Sequence, residues 1–332
     1  MTSAPIAVLG AGSWGTALAV QFARAGRPTL LWGRDNDAMQ AIATVRVNDR
    51  YLPGVSFPDR LEVTGDLAGA VAEASDVLVV VPSHGFRALL EKLHGLPTPP
   101  RALAWATKGF EINTGLLPHQ VAAQIFPAAT PMAVLSGPTF AREVGAGLPS
   151  AMTIAANDQD YCLHLAQAIS TDQFRAYTSD DWIGVEVGGA VKNALAIGAG
   201  ISDGLGFGAN TRVALITRGL VEMTRLGIAL GARPTTFMGL SGMGDLVLTC
   251  TDDQSRNRRF GLALAAGNSA DQARAMIGQV VEGYYAAKAV YEVSSRLQVD
   301  MPIVEQIYQV VYENRAAVSA VHALMSRPIT PE

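Results

Sequence analysis

At 332 residues the chain is too long for one typical domain, and two are expected. Its composition, 49% hydrophobic and 16% charged, is that of a globular protein with ample material for a core. A net charge of −4 excludes a general attraction to nucleic acid or to an anionic membrane surface.

The start, MTSAPIAVLGAG, lacks a basic stretch followed by a signal-length apolar run. No segment reaches the roughly 18 uncharged apolar residues needed to span a bilayer. Cys162 and Cys250 lie far apart without metal or redox spacing; they are either two free thiols in a reducing compartment or one bridge. A cytoplasmic protein with no nucleic-acid partner and no membrane insertion is expected. In chain order, short apolar runs predict strands at 6–9, 29–32, 61–64, 77–81, 102–106, 132–135 and 152–155. Runs such as DVLVVVP are apolar throughout, as strands buried on both faces of a parallel sheet are. Helical patterns cover 15–25, 86–93, 117–126 and 161–169, and the alternation predicts a doubly wound α/β domain over 1–180. From 181 to 332 the 3.6-residue period takes over, at 185–201, 210–230, 239–248, 256–266, 269–277, 284–297 and 303–312, predicting an all-helical domain. The tail after about Asn314 carries no motif.

Gly10-Ala11-Gly12-Ser13-Trp14-Gly15 follows the first strand and opens the first helix. In that context the glycines serve a tight turn, close approach of a pyrophosphate and close helix–strand packing, so a dinucleotide is expected. Uncapped N–H groups and the positive end of the helix dipole would meet its phosphates. After the second strand, Arg34 suits a ribose 2′-phosphate, whereas Asp35 either binds a ribose hydroxyl or caps the next helix. NADP is thus admitted beside NAD. Ser83 and His84 read as a helix start.

Three clusters set polar groups in apolar surroundings. Lys108 follows a strand at the carboxyl edge, as a ligand group or a loop lysine in water. Ser136-Gly137-Pro138-Thr139 ends in a candidate helix cap whose N–H groups would face an anion. Ser255, as an N-cap ahead of Arg256 and Asn257, makes a candidate phosphate cradle, while Arg258 and Arg259 read as surface or interdomain contacts. Lys192 stands in VGGAVKNALAIGAGIS, where burial would lower its pKa and make it useful as an acid or base, unless it snorkels to water. Asp245 is the candidate partner that orients Lys192 or the substrate. The five histidines show no metal-ligand spacing, so no metal is expected.

Taken together, GAGSWGTALA, LLWGRD, WATKGFE, LSGPTFAREV, GGAVKNALAIGAGISDGLGFG, SGMGDLVLTC, SRNRRFG and QVVEGYYAAK resemble the bacterial NAD(P)-dependent glycerol-3-phosphate dehydrogenases, in order and spacing. The resemblance implies a Rossmann domain followed by a helical one, with catalysis between them. It implies interconversion of dihydroxyacetone phosphate and sn-glycerol 3-phosphate with NAD or NADP, for glycerophospholipid synthesis, by a homodimer. It makes Lys192 the acid/base group and assigns Lys108, Gly137, Thr139, Asn193, Asp245, Ser255, Arg256 and Asn257 to the substrate. The cofactor contacts it implies are Ser13, Trp14, Arg34, Lys108, Ala141, Arg256, Val280 and Glu282, beside Gly10, Gly12 and Gly15 of the turn. Competing readings are a hydroxy-acid dehydrogenase of the same layout and a non-catalytic dinucleotide sensor.

Overall fold

The computed structural model describes residues 4–328. These form two compact units, one within Met1–Lys108 and Pro118–Val185, the other within Gly109–Leu117 and Glu186–Glu332.

The first unit runs β1 (Ile6–Leu9), α1 (Ser13–Arg24), β2 (Thr29–Trp32), α2 (Asn36–Val45), β3 (Val47–Asn48), β4 (Leu52–Ser56), β5 (Leu61–Thr64), α3 (Leu67–Glu73), β6 (Asp76–Val79), α4 (Ser83–His94), β7 (Leu103–Trp105), α5 (Pro118–Ala123), β8 (Met132–Ser136), α6 (Ala141–Ala146), β9 (Ser150–Ala156), α7 (Gln159–Ile169) and β10 (Phe174–Ser179). Eight strands make one sheet in the order β10-β9-β8-β7-β6-β1-β2-β5, while β3 and β4 pair separately as a hairpin. The sheet is parallel except where β8 meets β9, which is antiparallel. β1 and β2 align Ile6 with Thr29 and Leu9 with Trp32; on its other side Leu9 faces Val79 of β6. Strand order therefore reverses between β1 and β6, where open α/β sheets leave a crevice beyond the carboxyl ends.

Burial explains which elements the sequence revealed. β1, β2 and β6 are buried at every position, as strands covered on both faces must be. In α4, Phe86, Leu89, Leu90 and Leu93 fall on one face and are buried. The elements not foreseen are short, exposed or both. β10 buries only Phe174, the β3–β4 hairpin is interrupted by Pro53 and Gly54, and α2 buries only Met39.

The second unit is helical: α8 (Trp182–Gly204), α9 (Ala209–Ala229), α10 (Asp245–Thr251), α11 (Arg256–Ala265), α12 (Ala270–Ile277), α13 (Glu282–Arg296), α14 (Pro302–Tyr312) and α15 (Ala317–Met325). α8 starts where the Asp181 carboxylate accepts from the Gly184 N–H. From Val185 to Ser202 every residue is buried, so α8 is the core around which this unit packs. The continuous helix expected over 239–248 is instead a wide π-type turn (Leu240–Gly244) leading into α10, with a 3₁₀ turn (Pro234–Met238) just before it. Glycine permits the fold-back: a Cβ on Gly242 would sit 2.3 Å from the Phe237 carbonyl oxygen. The tail forms α15, which buries only Ala320 and so gave a weak pattern. No helix among the described residues is long and apolar enough to cross a membrane.

Candidate functional site

At the β1–β6 switch point the turn after β1 is built by backbone sterics. Gly10 has φ +129°, and a Cβ there would lie 2.3 Å from the Val80 carbonyl oxygen at the end of β6. A Cβ on Gly15 would lie 1.8 Å from the Gly10 carbonyl oxygen, so α1 folds directly onto the turn. Around Gly12 the opposite holds, since a Cβ there would meet nothing within 4 Å. Gly12 is also the N-cap of α1 and supplies no side-chain cap. The first N–H groups of α1 are thus left to an external acceptor, with the positive end of the helix dipole behind them. Trp14 Nε1, buried in the same turn, has no hydrogen-bond partner among the described residues. Open space above Gly12 and unsatisfied donors around it fit a phosphate-bearing dinucleotide.

Beyond β2, the Asp35 carboxylate accepts from the Ala38 N–H and caps α2, which settles that alternative in favour of the cap. Arg34 is exposed and lines a cavity of about 800 Å³ with Trp32, Met39, Thr64, Gly65 and Asp66. Ser83 and His84 are the first two residues of α4, as expected. Lys108 is half-buried, three residues beyond β7. Gly137 follows β8 where a Cβ would come 2.8 Å from Met152 Cα. The expected cap at Thr139 is corrected: α6 has Phe140 as its N-cap and begins at Ala141, while the Thr139 hydroxyl donates to the Gly137 carbonyl at 3.3 Å.

In the helical unit the site is made of side chains. Lys192, 7% exposed, does not snorkel to water: its Nζ donates to Asp245 Oδ1 at 2.5 Å and to Thr249 Oγ1 at 3.1 Å. The Thr249 hydroxyl in turn donates to the Asp245 carbonyl oxygen at 2.6 Å, one helical turn back. Gly188, one turn before Lys192, sets this pairing. A Cβ there would lie 2.3 Å from the Ser241 carbonyl oxygen, so the π-type turn lies on α8 and Asp245, one turn after Ser241, meets Lys192. The buried ammonium is thus paired with Asp245, the candidate partner that the sequence offered for it. Next to Thr249, the thiol of fully buried Cys250 is pushed up to about 12 by desolvation, against the pull of Lys192 and Arg258. It stays a thiol at neutral pH and is no nucleophile.

Asn193 and Asn257 join a second chain of polar contacts. Asn257 Nδ2 donates to Asn193 Oδ1 at 2.9 Å, and the Gly283 N–H donates to Asn257 Oδ1 at 2.8 Å. Glu282, first residue of α13, accepts from Asn193 Nδ2 at 3.4 Å. Ser255 caps α11, its Oγ accepting from the Arg258 N–H. Arg256 is half-buried and Nη1 reaches Gln279 Oε1 at 3.5 Å, beside exposed Val280. Lys192 and Asp245 thus lie in one cluster and Asn193, Asn257 and Glu282 in a second, neighbours through the adjacent positions of Lys192 and Asn193 on α8.

Two residues were misjudged or missed. Arg258 is no surface residue: it is 8% exposed and bonds Asp203 at 2.6 Å, while its neighbour Arg259 is exposed. Asp203 also receives Arg212 Nε, so the end of α8, α9 and α11 are tied by one carboxylate. Thr249 was not foreseen, although its place four residues after Asp245 puts it on the same helix face.

Comparison with known proteins is consistent across the chain. Residues 5–162 match the N-terminal part, and residues 181–322 the C-terminal part, of the NAD-dependent glycerol-3-phosphate dehydrogenase family. A glycerol-3-phosphate dehydrogenase [NAD(P)+] of Nitrosococcus oceani is 57% identical over 325 residues, covering 98% of this chain and 94% of that protein. One from Actinobacillus pleuropneumoniae serotype 5b is 53% identical, covering 98% of each. The crystal structure of glycerol-3-phosphate dehydrogenase from Coxiella burnetii superposes with a TM-score of 0.95 at 44% identity, over 98% of this chain and 100% of that one.

Proposed function

Because the chain belongs to the NAD-dependent glycerol-3-phosphate dehydrogenase family, we propose that it is an NAD(P)-dependent oxidoreductase interconverting dihydroxyacetone phosphate and sn-glycerol 3-phosphate. The observation that carries its chemistry is the buried Lys192–Asp245–Thr249 cluster. When bound, the nicotinamide cofactor supplies or accepts the hydride. Lys192 holds a proton at Nζ beside the carbonyl oxygen and gives it up as that oxygen gains negative charge on reduction. In the oxidative direction it takes the proton from the alcohol. Asp245 and Thr249 fix the direction of Nζ, so no reorientation is needed as charge develops, and stabilisation confined to the transition state is what raises the rate.

Ser255, Arg256 and Asn257 open α11, where a guanidinium and a helix N-terminus both favour a phosphate. Asn193 shares a hydrogen bond with Asn257 and helps hold it. Lys108, Gly137 and Thr139 are assigned to the substrate by the family resemblance. For the cofactor we assign Gly10, Gly12, Ser13, Trp14, Gly15, Arg34, Lys108, Ala141, Arg256, Val280 and Glu282. An exposed Arg34 beside the cavity at the end of β2, with Asp35 used as a cap, supports acceptance of NADP as well as NAD.

The reductive product is the backbone of glycerophospholipids, and we assign the enzyme to their synthesis as a cytoplasmic homodimer. Two buried free thiols, Cys162 and Cys250, support a reducing compartment. The test is NADPH loss at 340 nm on adding a panel of ketones. Dihydroxyacetone phosphate should be consumed and unphosphorylated dihydroxyacetone or a hydroxy-acid precursor should not. Equal rates with an unphosphorylated ketone would refute the assignment.

A further inference from the structure

Asn48 is the one fully buried polar residue of the β3–β4 hairpin, at 0% exposure. The hairpin is anchored by Leu52 and Val55, which pack into the same core as Ala17, Leu18 and Val20 of α1. From that anchor the Asn48 amide reaches back into the glycine turn. Nδ2 donates one hydrogen to the Ala11 carbonyl at 3.0 Å and the other to Thr16 Oγ1 at 2.9 Å. Thr16 is the first residue of α1 to close a helical bond, its N–H donating to the Gly12 carbonyl. One side chain therefore ties the middle of the turn to the first turn of the helix.

The peptide between Ala11 and Gly12 gives this contact a consequence for binding. In a planar trans peptide the carbonyl and the following N–H point in opposite directions. Holding the Ala11 carbonyl toward Asn48 therefore turns the Gly12 N–H the other way, and that N–H makes no hydrogen bond among the described residues. The space over Gly12 is open. We propose that Asn48 is a positioning residue for the dinucleotide: it presets the Ala11–Gly12 peptide so that the Gly12 N–H and the first N–H groups of α1 converge on the pyrophosphate. The proposal rests on the assignment of the glycine turn to the cofactor. Asn48 itself, being fully buried, touches neither cofactor nor substrate.

The test is the affinity of Asn48→Ala for NADPH and for adenosine 2′-monophosphate, which keeps the ribose phosphate but has no pyrophosphate, measured by calorimetry and competition. Losing one neutral hydrogen-bond clamp should weaken NADPH binding about five- to tenfold, leave the mononucleotide within about twofold, and leave the dihydroxyacetone phosphate KM at saturating NADPH unchanged. A purely structural role would lower the melting temperature and weaken both ligands alike. That result, or an NADPH affinity equal to wild type, overturns the proposal. If Asn48→Ala does not fold, Thr16→Val removes only the helix-side contact. It should then weaken NADPH about two- to threefold without affecting the mononucleotide, and wild-type affinity for NADPH would overturn the proposal. Failure of the wild-type enzyme to bind NADPH at all would instead refute the cofactor assignment itself, and the proposal with it.

Discussion

The two ends of the chemistry are built from different materials. The turn after β1 is made of backbone: glycines that admit Val80 and Gly10 carbonyls at distances no Cβ allows, and a Gly12 N–H without a partner among the described residues. The helical unit's cluster is made of side chains: an aspartate and a threonine of α10 held 2.5 and 3.1 Å from the nitrogen of a lysine in the buried stretch of α8. A backbone site binds by shape and dipole and does not titrate. A side-chain site can move a proton, and it needs burial and a counter-charge to do so. The division of labour we propose, one region holding a cofactor and the other handling a proton, rests on that difference.

Glycine substitutions in the two regions should separate the materials. The largest effect is expected for Gly188→Ala, whose Cβ would strike the Ser241 carbonyl at 2.3 Å. Overpacking against backbone should cost about 1–3 kcal/mol of stability. By pushing Asp245 away from Lys192 it should also lower kcat, as denaturant titration and steady-state assays would show. Gly12→Ala is the counterpart. Its backbone (φ −78°, ψ −177°) suits alanine and its Cβ meets nothing within 4 Å, so the melting temperature should not change. NADPH affinity should nevertheless fall about tenfold, because the added methyl fills the ligand's space. A stable Gly12→Ala enzyme with normal NADPH affinity would break the comparison.

These contrasts also explain what could be read from the sequence. The glycine turn is contiguous, so its six residues declared themselves together with the strand and helix that flank them. The lysine cluster is not contiguous: 53 residues separate Lys192 from Asp245, and their meeting depends on Gly188 and on a π-type turn that the helical period concealed. Arg258 looked like surface because its partner, Asp203, is 55 residues away. β10 and the β3–β4 hairpin lacked a buried run, and so Asn48 drew no notice. Local pattern reported elements buried by their own periodicity and offered Asp245 for Lys192, but it was silent on Thr249, on Asp203 as the partner of Arg258 and on Asn48.

Glu222 is another buried acid of the helical unit, with a smaller effect confined to stability. Glu222 of α9 accepts from the Ile303 and Val304 N–H groups and caps α14. Desolvation nonetheless raises its pKa to about 7, outweighing those bonds and Arg225. A carboxyl whose folded pKa exceeds its unfolded value near 4.5 contributes stability below pH 4.5, which is lost as pH rises toward about 7. Wild type should therefore lose a few degrees of melting temperature (~2–4 °C per kcal/mol) across that window. Glu222→Gln should show a flatter profile by calorimetry. An identical pH slope in the variant would remove Glu222 from the account.

The central claim is that Lys192 carries the proton while the glycine turn holds the cofactor independently of it. It is tested most directly by measuring, on one preparation of Lys192→Ala, the dihydroxyacetone phosphate-dependent loss of NADPH and the dissociation constant of NADPH. Turnover should fall by roughly 10²–10⁴-fold, the usual worth of a general acid or base, while the NADPH dissociation constant stays within about twofold of wild type. Turnover near the wild-type rate in a variant that binds NADPH normally would contradict the claim.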